Sequence, residues 1–190
     1  MKKLRYWNRI IRAYIFEGNS QLSFWHEKPE ASKGFKIESL GSYYMTFHKK
    51  ADFISCTDDN EIPMLDYKGS IGKQYNPIAI AQWGLGNYNI WLSTKSKKNY
   101  KKFIKSADWL CENLAKNDNN IKVWMHKFNF EYRDTLKKPW YSGLAQGQGL
   151  SLLLRALKET KNIKYEKSIT DVYKSFQFDI NEGGVICIDK

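Results

Sequence analysis

The spacing of apolar residues changes along this chain, and each change predicts a different element. Residues 17 to 75 sustain no helical period and are punctuated by turn signals at Glu17-Gly18-Asn19, Ser32-Lys33-Gly34, Asp58-Asp59-Asn60 and Lys68-Gly69-Ser70, so they predict an irregular arm with short strands. At Asn76 the texture shifts. Asn76 can cap, Pro77 suits a first helical position, and Ile78 to Trp91 is almost free of charge, the mark of a helix buried on every side. Gly84 and Gly86 inside it each cost about 1 kcal/mol relative to alanine, which predicts close approach of another backbone. Phe103, Ile104, Ala107, Leu110, Cys111 and Leu114 then form one apolar stripe with lysines opposite, an amphipathic helix. Residues 121 to 132 alternate, placing Trp124, His126, Phe128, Phe130 and Tyr132 on one side of a strand pair after the Asn117 to Asn120 turn. A second nearly uncharged helix is expected from Gly143 to about Leu157. A second amphipathic stripe follows at Tyr165, Ile169, Val172, Tyr173 and Phe176, then a turn at Gly183-Gly184 and a strand over Val185 to Ile188.

The order therefore occurs twice: inner apolar helix, Lys-rich loop, outer amphipathic helix. Matching Ala81-Gln82 to Ala145-Gln146 gives a unit of roughly 64 residues, with the aromatic hairpin between copies. The expected fold is mainly α: an incomplete (α/α) toroid of helical hairpins over residues 73–190, with a small β-hairpin insertion, preceded by an irregular N-terminal arm over 1–72 that carries a short basic helix. Two pairs would not close such a ring, so the chain reads as part of a longer one.

Charge narrows the partners. With a formal net charge of +11 and 42% hydrophobic residues, the protein is globular and favours polyanions. The lysine clusters (Lys95, Lys97, Lys98, Lys101, Lys102; Lys158, Lys161, Lys164, Lys167) are read as solvated faces. Cys56, Cys111 and Cys187 give neither a disulfide framework nor metal spacing, and His26, His48 and His126 are too scattered for a zinc motif. No metal or cofactor is expected. The basic stretch Met1 to Phe16 is too short in its apolar part for a signal core or a membrane span, which makes a cytoplasmic location the default expectation. No nucleic-acid motif is present.

Two stretches carry a family resemblance: Tyr75-Asn76-Pro77-Ile78-Ala79-Ile80-Ala81-Gln82-Trp83-Gly84-Leu85 and Trp140-Tyr141-Ser142-Gly143-Leu144-Ala145-Gln146-Gly147-Gln148-Gly149. Both are similar to motifs of the D-glucuronyl C5-epimerase C-terminal region, over about Tyr43 to Lys190 and best from Trp140 to Leu157. The resemblance implies removal of the C5 proton of a glucuronate within a polymer and its return on the opposite face, giving iduronate in heparan-type (heparosan-derived) chains. That chemistry needs neutralisation of the carboxylate as it becomes an enolate, and two acid/base groups on opposite faces of the ring. It needs no redox cofactor. In the family the acid and base come from a Glu-Tyr-Pro motif and a later tyrosine, beyond the strand corresponding to Gly184 to Ile188. No catalytic residue is carried over to this chain, which reads as a C-terminally truncated fragment inactive alone. The full-length parent is a possible homodimer.

The expected substrate-binding residues are Tyr75, Gln82, Tyr141, Gln146, Gln148 and Arg155. Gln148, Ser151 and Arg155 make a polar stripe on a leucine-rich helix, and Arg155 could hold a uronate carboxylate by a bidentate pair or instead cap its helix or pair with an acid. Gln82 and Gln146 could bind sugar hydroxyls or close a neighbouring loop. Tyr75 and Tyr141 precede the inner helices, where a phenol could meet a sugar or pack in the core. The alternating aromatics could be a wall for substrate or a buried strand face; Glu131 and Asp134 read as surface charges. Two other functions fit the same features, a polysaccharide lyase and a non-catalytic binder of acidic glycan.

Overall fold

The computed structural model describes residues 7, 11, 24–25, 30–52, 56–131 and 135–187. The expected basic helix over Met1 to Phe16, the turn at Glu17 to Asn19, and His26, Tyr132, Asp134 and Ile188 lie outside the described residues, in whole or in large part.

The protein is mainly α. Helix α1 (His48–Ala51) is a single turn within the arm, and α2 (Pro77–Thr94), α3 (Lys97–Glu112), α4 (Gly143–Thr160) and α5 (Ile163–Tyr173) form two helical hairpins. The strands are dipeptides: β1 (Leu65–Asp66) pairs with β2 (Lys73–Gln74), β3 (Ala115–Lys116) with β4 (Lys122–Val123), and β5 (Phe130–Glu131) with β6 (Thr135–Leu136), each antiparallel.

Caps set the helix starts. The Asn76 side chain accepts from the backbone N–H groups of Ile78 and Ala79 with Pro77 in the first turn, and Ser142 accepts from Ala145. Both inner helices end on a lysine in the left-handed conformation, Lys95 and Lys161. These landmarks correct the repeat length. Cap to cap, from Asn76 to Ser142 and from Lys95 to Lys161, the offset is 66 residues, so Gln82 corresponds to Gln148 rather than to Gln146, and Tyr75 to Tyr141.

Core packing follows from the two apolar inner helices. Leu85, Tyr88, Phe103, Leu110, Trp124, Leu152, Leu153, Tyr165 and Val172 are all buried in one cluster that joins both hairpins. The glycines of α2 are contact points, as their cost implies: a Cβ at Gly84 would lie 2.7 Å from Leu152 Cδ2 of α4 and from Ser106 Cβ of α3, and one at Gly86 would lie 2.5 Å from the Phe47 carbonyl oxygen. The second contact belongs to the arm. Residues 43–51 lie on α2, with Tyr43, Phe47 and Ala51 buried, and Asn89 fixes them by accepting from Tyr43 N–H at 2.8 Å and donating to the Met45 carbonyl at 2.8 Å. The irregular arm is therefore part of the core.

The aromatic stretch departs from a continuous hairpin. β4 turns back on β3 around Asn117 to Asn120, His126 bridges to Trp140, and the chain reverses again at β5 and β6. Its alternation is nonetheless a burial pattern, with Trp124, His126 and Phe128 buried. Among the described residues the expected C-terminal strand makes one bridge, Ile186 to Asp179. The lysines of both clusters are solvated apart from Lys102, which is partly covered, and Glu131 is exposed, as expected.

Candidate functional site

A cavity of about 340 Å³ opens where the arm meets the first turns of both inner helices, lined by Trp25, Glu30, residues 44 to 50, Gln82, Leu144 and Gln148. That volume lies at the small end of ligand pockets, about 300–1,000 Å³. Glu30, Tyr44, His48, Lys49 and Leu144 form an exposed rim, while Phe47, Lys50, Gln82 and Gln148 are buried and form the floor. One wall is the antiparallel contact of residues 30–32 with 44–46, through Thr46 N–H to the Glu30 carbonyl (2.9 Å) and Ser32 N–H to the Tyr44 carbonyl (2.8 Å).

The floor has a fixed polarity. The Lys50 ammonium donates to Gln82 Oε1 at 2.7 Å, and Gln82 Nε2 donates to Gln148 Oε1 at 3.0 Å. A cation can only donate, so it turns the Gln82 carbonyl toward itself; the Gln82 amide N–H groups must then meet the Gln148 carbonyl. The Gln148 NH2 group in turn lies toward the Tyr43 phenol. Each link sets the next. The ammonium is also held by ring faces, 4.4 Å from the Phe24 centroid, 5.3 Å from Trp25 and 5.5 Å from Phe47.

Backbone strain marks the same place. Phe47 adopts φ 51°, ψ 30°, a left-handed conformation that costs a bulky side chain about 1–2 kcal/mol. The contact of its carbonyl with Gly86 and the Asn89 hydrogen bonds around it hold it there. Such strain persists where surroundings over-determine it, and it concentrates at ligand sites.

The structure divides the six residues expected from sequence. Gln82 and Gln148 meet in the cavity floor. Gln146 is fully buried elsewhere: its Oε1 accepts from Trp124 N–H at 2.9 Å, and its Nε2 donates to the Trp124 and Ser142 carbonyls at 3.1 and 3.2 Å. It holds the aromatic strand against α4. Tyr75 donates to Asp58 Oδ2 at 2.7 Å, and that carboxylate, helped by burial, pushes the phenol up to about 12. Tyr141 donates to the Gly183 carbonyl at 3.0 Å and accepts from Asn117, tying the terminal turn to the first hairpin.

Arg155 is buried away from the cavity lining. Its Nε donates to the Gly41 carbonyl at 3.0 Å and its Nη1 to Ser151 at 2.9 Å, and its guanidinium lies 5.3 and 5.8 Å from the Tyr43 and Tyr88 rings. It neither caps the helix end nor pairs with an acid; it moors the arm to α4, beside Lys158, which donates to the Leu40 carbonyl at 2.6 Å. Replacing Arg155 by Met removes one charge-assisted bond between elements and should cost about 2 kcal/mol, read as a lower urea midpoint with faster hydrogen exchange over residues 41–46. Tyr43, next in the arm, keeps its proton well above the ordinary tyrosine range because it is buried and lies against Tyr44, while Gln148 and Arg155 pull the other way.

Lys50, Tyr44 and Trp25 are absent from the sequence-based expectation. His48-Lys49-Lys50 has the texture of the surface lysine runs, and only contacts with distant helices distinguish Lys50. Among the described residues, no group of three or more His, Cys, Asp or Glu is placed to hold a metal ion, and no helix is long and apolar enough to cross a membrane.

The fold and cavity define a mainly α protein in which two helical hairpins bury their apolar helices and floor a polar cleft. Its second repeat is similar to a known family. Residues 117–188 match the family model described as D-glucuronyl C5-epimerase C-terminus. The chain is also similar to a D-glucuronyl C5-epimerase of Caenorhabditis elegans, 36% identical over 86 residues, which is 44% of this chain and 13% of that protein. It thus spans about an eighth of that relative's length. The family-model match over residues 117–188 contains Tyr141, Gln146, Gln148 and Arg155, whereas Lys50 and Gln82 precede it.

Proposed function

We propose that this chain forms the substrate-lining part of a uronate C5-epimerase of acidic polysaccharide biosynthesis, converting glucuronate to iduronate in a heparosan-type polymer. The observation that carries the reading is the position of the cavity: one half of its amide floor, Gln148, belongs to the epimerase-matched helix. The two helical hairpins are the beginning of an (α/α) toroid, whose inner helices face the polymer. The acid and base that take and return the C5 proton are supplied from outside these residues. Tyr75 is bound to a carboxylate and holds its proton, and His126 is buried away from the cavity, so neither serves as the base. The +11 charge assists capture of the polyanion without setting its register.

The test is heparosan in deuterated solvent, with C5 deuterium read by mass spectrometry. The chain alone is expected to bind without exchange, and a chain extended by a family-type Glu-Tyr-Pro segment to exchange. Exchange by the 190-residue chain would place the acid and base inside it. An unsaturated, ultraviolet-absorbing product would instead make the parent a lyase, which begins with the same proton abstraction. Binding with a steep salt dependence and no preference among polyanions would leave only a glycan binder.

A further inference from the structure

Positive charge is distributed unequally between the two hairpins. From Tyr67 to Ala107 the chain has eight lysines and no Asp or Glu, and five of those lysines, Lys97, Lys98, Lys101, Lys102 and Lys105, lie on α3. We propose that this lysine face of α3 is a second glycan contact, outside the cavity, which holds an acidic polysaccharide along its length while one of its sugars occupies the cavity. This rests on the reading of the chain as one that acts on an acidic glycan.

Helical spacing gathers the five ammonium groups. They fall within about 140° of the helix circumference and along about 12 Å of its axis. Phe103, Ala107 and Leu110 take the opposite face and are buried. Charges that close lie within about one Debye length of their neighbours, so their fields add. Lys105 is paired with Glu61, and the charge of Asp52 acts on Lys102. Among the described residues, Lys97, Lys98 and Lys101 are exposed and take part in no salt bridge.

Solubility alone does not require this arrangement. Lys97 and Lys98 stand in the first turn, where the helix dipole disfavours cations and no acid offsets them, and Lys97 with Lys101, Lys98 with Lys102 and Lys101 with Lys105 are like charges one turn apart. The second outer helix is solvated without that cost. Its two lysines, Lys164 and Lys167, are matched in number by Glu166 and Asp171, and Lys164 pairs with Asp108 at 2.8 Å. A bound polyanion relieves the repulsion on α3. The strip is also tied to the cavity wall: Asn99 of α3 donates to Asn87 Oδ1 at 2.8 Å, and Asn87 donates to the carbonyl of Ala51, which follows the cavity-lining residues His48 to Lys50. Lysine is a point charge rather than a bidentate fork, which suits a polymer that shifts its register past a fixed cavity. Insertion into a membrane needs an apolar face, and that of α3 is buried in the core.

Binding of long heparosan chains and of a heparosan tetrasaccharide over a series of salt concentrations tests the strip in the intact protein. The triple variant Lys97→Gln, Lys98→Gln, Lys101→Gln is expected to bind long chains about 10- to 100-fold more weakly at low salt, with the slope of log affinity against log salt reduced by about two, and to bind the tetrasaccharide as the parent does. The control Lys161→Gln, Lys167→Gln, Lys174→Gln removes the same charge from the second hairpin and is expected to change long-chain binding by less than about threefold. Unchanged long-chain affinity in the first variant, an equal loss on the tetrasaccharide, or equal losses in both variants overturns the strip and leaves the cavity reading standing. A parent that binds neither heparosan size overturns both. A parent that binds duplex DNA or phosphatidylserine vesicles as tightly as long heparosan overturns the assignment of the strip to a glycan. Should the first variant fail to fold, lysine acetylation of the unaltered protein decides: heparosan is expected to protect Lys97, Lys98 and Lys101 and not Lys161, Lys167 and Lys174, and an absence of protection at saturation overturns the proposal.

Discussion

Acidification from pH 6.5 to about 4.5 is expected to remove roughly 2–3 kcal/mol of stability, and His126→Phe is expected to abolish most of that loss. His126 is fully buried, stacked on Trp140 with ring centroids 3.8 Å apart and planes 3° apart, and neither ring nitrogen has a hydrogen-bond partner of ordinary geometry. Burial lowers its pKa to about 4, with the Trp140 backbone offsetting a small part. The sign follows from which state binds the proton first. The unfolded histidine protonates near 6.5 while the folded one stays neutral, so the stability is complete above 6.5 and drains away as pH falls toward 4. Phenylalanine keeps the stacking and removes two unsatisfied nitrogens, so this variant should match or exceed the parent at neutral pH. Glu61 and Asp66, whose carboxyls are held below the usual range by Lys105 and Lys68, contribute their own loss only at lower pH. Urea midpoints at several pH values read the difference; a parallel decline in both proteins would assign it elsewhere.

Gln146→Leu and Gln148→Leu are expected to fail in opposite ways, although the two residues are two apart on the same helix. Gln146 satisfies both backbone groups of Trp124 inside a fully buried cluster. Its loss strands them at about 1–3 kcal/mol each, so the thermal midpoint should fall by many degrees with any residual sugar binding unchanged in selectivity. Gln148 takes part in the cavity relay and touches the Tyr43 phenol, and leucine there costs the Gln82 amide one partner. That variant should remain folded and bind uronate at least tenfold more weakly, because Gln82 is then free to turn and the floor loses its fixed polarity. Equal effects from both changes would remove the distinction between a structural and a binding glutamine.

The sequence showed the helices because their signals are local. Asn76-Pro77 and Ser142 start them, the apolar run with Gly84 and Gly86 announces close packing, and lysines mark the faces that water covers. The aromatic alternation likewise identified the buried side at Trp124, His126 and Phe128, though not the break into two short hairpins, which depends on the bridge from His126 to Trp140. The repeat was legible in kind and misplaced by two residues, because the recurring Ala-Gln pair competes with the true register set by the helix ends. That shift matters: it paired Gln82 with Gln146, whereas Gln82 touches Gln148.

The cavity itself was not legible. Its cation comes from an arm without periodicity, its aromatic cage joins Phe24 and Trp25 to Phe47, and its floor joins Lys50 to glutamines 32 and 98 residues later in the chain. Arg155 shows the converse. A lone arginine on an apolar helix offers the right chemistry for a carboxylate, and only the position of Gly41 reveals that it serves the arm instead.

Titration of the isotopically labelled protein with a glucuronate-bearing oligosaccharide, followed through its side-chain amide and guanidinium resonances, tests the central claim most directly. The largest shifts are expected at the Gln82 and Gln148 amides, with Arg155 Nε and the Gln146 amide still. Shifts centred on Arg155 or Gln146, with Gln82 and Gln148 unmoved at saturation, would contradict it.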